Sequence, residues 1–143
     1  MDIIVKDLES SEEYDSIRIL RTRVFVNEQG VPADLEFDEY DKGALHAVAY
    51  NGPRIVGTGR LIVDSDTDAR IGRMAVEESS RRFGIGSRIL LFLEDSARSQ
   101  GVKRLTLHAQ YYVKNFYQQN GYAERGNNFM EAGILHVEMI KYI

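Results

Sequence analysis

The stretch Arg81-Arg82-Phe83-Gly84-Ile85-Gly86-Ser87-Arg88 sets two glycines among three arginines, between a strand-like run and a helix-like one. Ahead of it, Ala69 to Val76 alternates polar and apolar residues in places; behind it, apolar residues recur at helical spacing. A helix therefore starts at the glycines. Its first backbone N–H groups lack intrahelical partners and lie at the positive end of the helix dipole, so an anion there gains hydrogen bonds and charge complementarity together. Gly84 and Gly86 let a ligand approach the backbone closely. The chemistry this pattern suits is the holding of a polyphosphate. The alternative, a helix that simply begins at a glycine-containing turn, leaves Arg81, Arg82 and Arg88 without a reason.

Missing residues narrow the polyphosphate. A nucleoside triphosphatase loop needs Lys followed by Ser or Thr, whereas Gly86 is followed by Ser87-Arg88. The dinucleotide fingerprint needs a third glycine where Ile89 stands, and it opens a βαβ unit rather than falling past mid-chain. The chain has no cysteine, which excludes disulfides, thiolate metal sites and a cysteine-acyl intermediate. His46, His108 and His136 each fall in a strand-like run. They are too scattered to imply a metal, and core or strand-face packing accounts for each, although His108 and His136 converge if their strands are neighbours.

The elements that must carry these residues alternate along the chain. Ile3-Ile4-Val5 opens as a strand. Ser10 or Ser11 before Glu12 and Glu13 starts a helix in which Tyr14, Ile17, Leu20, Val24 and Phe25 recur at helical spacing, and Gly30 and Pro32 end it. The acidic segment Asp34 to Asp41 reads as a loop able to draw a cation. A hairpin follows, Leu45 to Tyr50 and Ile55 to Val63 about a turn at Asn51-Gly52-Pro53. After a turn at Asp64 to Asp68 come the strand ending at Val76 and a helix from Gly84 to about Ser99, closed by Gly101. A strand through Leu105 and Leu107, a short helix around Phe116, and a final strand from Ile134 to Ile140 complete a mixed α/β sheet.

Composition agrees with one domain over residues 1–143. Hydrophobic residues are 43% and charged residues 28% of the chain, with no repeat or low-complexity tract. A formal net charge of -4 gives no basic field for nucleic acid. Met1 to Lys6 lacks a signal-peptide pattern and no apolar run is long enough to span a bilayer, so the expected location is cytoplasmic, away from the membrane.

Arg81-x-x-Gly84-x-Gly86 after a strand resembles the coenzyme A pyrophosphate loop of the GNAT superfamily of N-acetyltransferases. Downstream, Arg104 to Gln110 followed by Phe116-Tyr117-Gln118-Gln119-Asn120-Gly121-Tyr122 resembles the family's F-Y-x-x-x-G-F signature. Val24-Phe25-Val26-Asn27-Glu28-Gln29 and the closing Gly133 to Met139 are similar to the ElaA/YjcF-like bacterial subgroup. The resemblance implies a mixed, mostly antiparallel sheet flanked by helices, with acetyl-CoA as cosubstrate and no metal. The pyrophosphate would meet the N–H groups of Phe83, Gly84, Ile85, Gly86 and Ser87, with Arg81 and Arg82 as charge partners. The pantetheine arm would lie along the backbone of Met74, Ala75 and Val76. Gln110 stands where many relatives carry Asn, and Phe116 joins this set although packing alone accounts for it.

The resemblance also implies direct transfer of acetyl to a primary amine of a small molecule or peptide. Tyr117 matches the tyrosine that protonates the departing thiolate, a task suited to a phenol with an unperturbed pKa of about 10. Glu28 is the expected base, in the segment that walls the acceptor pocket; a solvated carboxylate at a helix end is its alternative. Two other readings share the scaffold: a noncatalytic acyl-CoA sensor, and an acyl-homoserine-lactone synthase, against which the short chain and the lack of tryptophan count. A homodimer is compatible with the family.

Overall fold

The computed structural model describes residues 2–143. The elements run β1 (Ile3–Asp7), α1 (Ser11–Arg21), a π-helical segment (Thr22–Glu28), α2 (Ala33–Glu36), β2 (Leu45–Asn51), β3 (Arg54–Val63), β4 (Asp68–Val76), α3 (Ile85–Ser99), β5 (Arg104–Gln110), α4 (Lys114–Gln119), β6 (Ala123–Glu131) and β7 (Ile134–Tyr142). The strands form one sheet in the order β1-β2-β3-β4-β5-β7-β6, antiparallel throughout except where β4 pairs with β5. This is the mixed, mostly antiparallel sheet that the motifs imply. No helix among the described residues is long and apolar enough to cross a membrane.

Ser10 caps α1 by accepting from the Glu13 N–H at 3.2 Å, with Glu12 and Glu13 in the first turn at the positive end of the dipole. The helix does not run unchanged to Gly30 as the apolar spacing suggests. It widens at Thr22–Glu28, where the Thr22 hydroxyl donates to Arg18 O at 2.8 Å and the β-branched Thr22, Val24 and Val26 crowd the turn. Val24 and Phe25 still reach the core, packing with Leu20, Val31 and Ala75.

On the opposite face of the sheet lies α3. Ile85, Ile89, Leu93 and Ala97, four apart, are fully buried over β2, β3 and β4. Gly57 and Gly59 admit the helix: a Cβ on Gly59 would stand 2.6 Å from Met74 Sδ and 2.9 Å from Ile89 Cγ2. Gly101, with φ 86°, turns the chain out of the helix.

Two irregularities of β4 open the molecule. Gly72 faces Arg60 and Ala75 faces Thr58, so Arg73 and Met74 together oppose one residue of β3, and Arg73 takes φ 53° in this bulge. The parallel pairing of β4 with β5 covers only Asp68–Ile71 against Arg104–Leu107. Beyond it β5 pairs with β7 alone, through Gln110, while β4 continues to Val76 with that edge free. A wedge therefore opens between Gly72–Val76 and His108–Gln110. The strand β6 has no counterpart in the sequence reading: Ala123 to Glu131 is polar and exposed almost throughout, so no apolar alternation announces it.

Candidate active site

The wedge leads into a cavity of about 590 Å³, lined among others by Met74 from β4, Gln110 and His108 from β5, and Tyr117 from α4. A larger depression of about 710 Å³ lies between α1 and the β2–β3 turn, but it is lined by none of the expected catalytic or cofactor-binding residues. Tyr117 is buried, and its ring packs edge-on to Phe116 at 5.0 Å and to Tyr122 at 5.9 Å. Its hydroxyl makes no hydrogen bond among the described residues. Burial pushes its pKa up to about 12, so it remains a proton-bearing donor across the neutral range. Tyr122, last in the same motif, turns its hydroxyl away to the buried Glu94 at 2.8 Å, which Lys141 also binds at 3.1 Å.

The arginine-glycine turn sits at the start of α3. Arg82 at φ 71° and Gly84 at φ 77° curl the backbone, and the first amide to bond back is Arg88 N–H, on Gly84 O at 3.2 Å. The amides of Ile85, Gly86 and Ser87 precede it and lack intrahelical acceptors. Phe83 is exposed, Ile85 anchors the turn in the core, and a Cβ on Gly86 would stand 3.3 Å from Phe116 Cζ. Gly86 thus lets α3 and α4 close on each other, which places the turn beside the tyrosine. Of the expected backbone partners, Met74 lies in the bulge region and Ala75 and Val76 on the free edge; Val76 O accepts from Arg81 Nε at 2.9 Å.

Glu28 does not line the cavity. Its carboxylate pairs with Arg81 Nη2 at 2.9 and 3.1 Å, because the widened turn of Thr22–Glu28 delivers it to the connection after β4. The expected base and one expected phosphate ligand are therefore partners of each other. The neighbouring Gln29 does reach the cavity and accepts from Gln110 Nε2 at 2.7 Å, tying the end of β5 to the segment after α1.

The acidic segment is also engaged internally. Glu36, Asp38 and Asp41 meet Arg21, Arg60 and Arg73 in an alternating cluster. Arg21 reaches Glu36 at 2.6 Å and Asp41 at 2.9 Å, Arg60 reaches Asp38 at 2.7 Å and Asp41 at 2.8 Å, and Arg73 reaches Asp38 at 3.0 Å. Three cations balance three anions. For Asp38 and Asp41, burial pushes the pKa upward but the arginines outweigh it, and both carboxyls stay below the usual range. The cluster clamps α2 and the following loop onto the bulge, holding Arg73 in its left-handed conformation. It is a floor for the cavity, and its acids are not free to draw a cation.

The histidines do converge. In the β5–β7 register Gln110 faces His136 and His108 faces Glu138, and Glu131 of β6 bonds His108 Nδ1 at 3.0 Å; His108, His136 and Glu131 all line the cavity. Glu131 lies in the strand that the sequence did not disclose. Its only signal was position, three residues ahead of Ile134-Leu135-His136 across Gly133, where a tight turn lays it beside β7.

The whole-chain comparisons bear on the family and on the fold that carries this cavity. The family model described as "Acetyltransferase (GNAT) domain" matches residues 7–143. YjcF, an uncharacterised N-acetyltransferase of Bacillus subtilis, is 35% identical over 133 residues, covering 92% of this chain and 94% of its own. The crystal structure of Escherichia coli ElaA superposes with a TM-score of 0.86 at 27% identity, over 98% and 99% of the two chains. An aminoglycoside 6'-N-acetyltransferase complexed with coenzyme A shares the fold, at a TM-score of 0.80, 19% identity and coverage of 97% and 96%. The chain belongs to the GNAT family of acetyltransferases.

Proposed function

We propose that the protein transfers acetyl from acetyl-CoA to a primary amine of a small molecule or peptide, directly, in a ternary complex. The observation that carries this reading is the wedge between β4 and β5, with the free amides of α3 at one side and the unpartnered Tyr117 hydroxyl within it. In this reading the amides of Ile85, Gly86 and Ser87, with Arg82, take the pyrophosphate. Arg81 joins them by exchanging Glu28 for phosphate. The unpaired edge of Met74, Ala75 and Val76 offers the pantetheine amides a strand to pair with, as an extended peptide adds to a sheet edge. Phe116 and Gln110 flank the arm. The amine attacks the thioester carbonyl, the C–S bond breaks with its electron pair on sulfur, Tyr117 donates its hydroxyl proton toward that sulfur, and the N–H proton lost by the amine nitrogen restores the phenol through solvent.

Thiol release that depends on an added primary amine, with the acetylated amine identified by mass spectrometry, tests the reading. Binding of acetyl-CoA without turnover of any amine would favour a sensor instead.

A further inference from the structure

At the β5–β6–β7 wall of the cavity, two hydrogen-bond acceptors face each other with no donor between them. The Ile134 carbonyl lies 2.7 Å from His136 Nδ1 and can only accept, so Nδ1 carries a proton. In the neutral ring Nε2 then holds a lone pair, and Glu131 Oε2 lies 3.7 Å from it. The imidazole is nine-tenths buried and is held in orientation by Phe129, stacked on it at 6.0 Å with 22° between the planes. The other Glu131 oxygen is fixed by His108, whose far nitrogen lies 3.7 Å from Glu138. A carboxylate and an imidazole nitrogen at this separation suit a group that donates to both.

We propose that Glu131 and His136, braced by His108, form the acceptor-amine subsite: Glu131 holds the substrate ammonium and His136 Nε2 takes its proton. This rests on the acetyl-transfer reading above. One N–H bond of the ammonium breaks and its proton passes to Nε2. The freed lone pair forms the N–C bond, and the thiolate departs with the C–S pair. Sulfur takes the Tyr117 proton, and the second proton lost by the amine nitrogen restores Tyr117 through solvent. The imidazolium that forms is stabilised by Glu131 on one side and by Ile134 O on the other.

The test uses the full chain with ethylammonium chloride as probe, against sodium chloride at equal ionic strength. Nitrogen NMR of His136 is expected to show a saturable shift of Nε2 with ethylammonium in the wild type and none in Glu131→Gln. With ethylamine as acceptor, thiol release is expected to fall about 100-fold or more in His136→Gln, the contribution of a general base. It is expected to fall about 10-fold or more in Glu131→Gln, a substitution on an exposed edge strand that leaves the fold intact. Calorimetric affinity for acetyl-CoA stays unchanged in both. A shift that matches the salt control, a shift that survives Glu131→Gln, or release unaffected by both substitutions overturns the proposal. Failure of the wild type to bind acetyl-CoA counts instead against the acetyl-transfer reading, and the ammonium titration then decides the subsite alone.

Discussion

Replacing Tyr117 by Phe separates chemistry from packing, because the hydroxyl and the ring do different things in this fold. The ring fills space against Phe116 and Tyr122, at 5.0 and 5.9 Å between centroids, and phenylalanine preserves that contact. The hydroxyl bonds to nothing among the described residues, so its removal breaks none of their hydrogen bonds, and unfolding free energy should move by less than about 1 kcal/mol. That corresponds to a melting shift of no more than about 2–4 °C at this size. The rate should respond on another scale. Loss of a positioned proton donor lowers kcat about 100- to 10,000-fold, or roughly 3–5 kcal/mol of barrier. Thermal melting and amine-dependent thiol release, measured on the same preparation, give both numbers. Because burial holds the phenol at about 12, the wild-type rate should show no decline from this group as pH rises through neutrality. An unchanged kcat in a folded Tyr117→Phe protein would refute the role, as would a large loss of stability accompanied by a proportionate loss of rate.

Other predictions concern the frame around the site. Gly59→Ala puts a Cβ against Met74 and Ile89 and should destabilise by about 1–3 kcal/mol, read as a lower denaturation midpoint; an unchanged midpoint would mean that α3 can lift from β3. Arg21→Met leaves Glu36 and Asp41 buried without a principal partner and should cost about 3–5 kcal/mol, with the loss visible in urea unfolding. His108 should titrate above its ordinary value, raised first by Glu131 and further by Glu138, against the opposing effect of burial. Its other surroundings that carry or can take a charge are the His136 ring, Arg125 bound to Glu138, and Arg73, which acts on Glu131. Since its folded pKa is raised, the stabilisation is complete below the unfolded value and is lost as pH rises through the folded one. NMR titration should show Glu131→Gln bringing His108 back toward the ordinary value, and an unmoved midpoint would contradict the pairing.

The parts of this molecule that are legible in the sequence are those with a local cause. Gly84 and Gly86 mark the start of α3 because the turn needs a left-handed residue and a close approach to Phe116. The Asn51-Gly52 turn and the apolar runs on either side disclose the β2–β3 hairpin. What stayed hidden depends on distant partners. Glu28 looks available until Arg81, 53 residues away in sequence, closes on it. The acids from Glu36 to Asp41 look like a solvated loop until Arg21, Arg60 and Arg73 arrive from three different elements. β6 is an edge strand that packs little apolar surface, so hydrophobic periodicity is silent about it, and with it about Glu131.

Calorimetric titration with acetyl-CoA, on the wild type and on Gly84→Asp, tests the central claim most directly. The space beside Gly84 is open and its φ is 77°, so the variant should fold at a strain cost of about 1 kcal/mol while placing a carboxylate where the pyrophosphate should sit. Saturable binding by the wild type, lost in the folded variant, is the predicted result. No binding by a folded wild type, or equal binding by both proteins, would contradict the assignment of this turn to the cosubstrate.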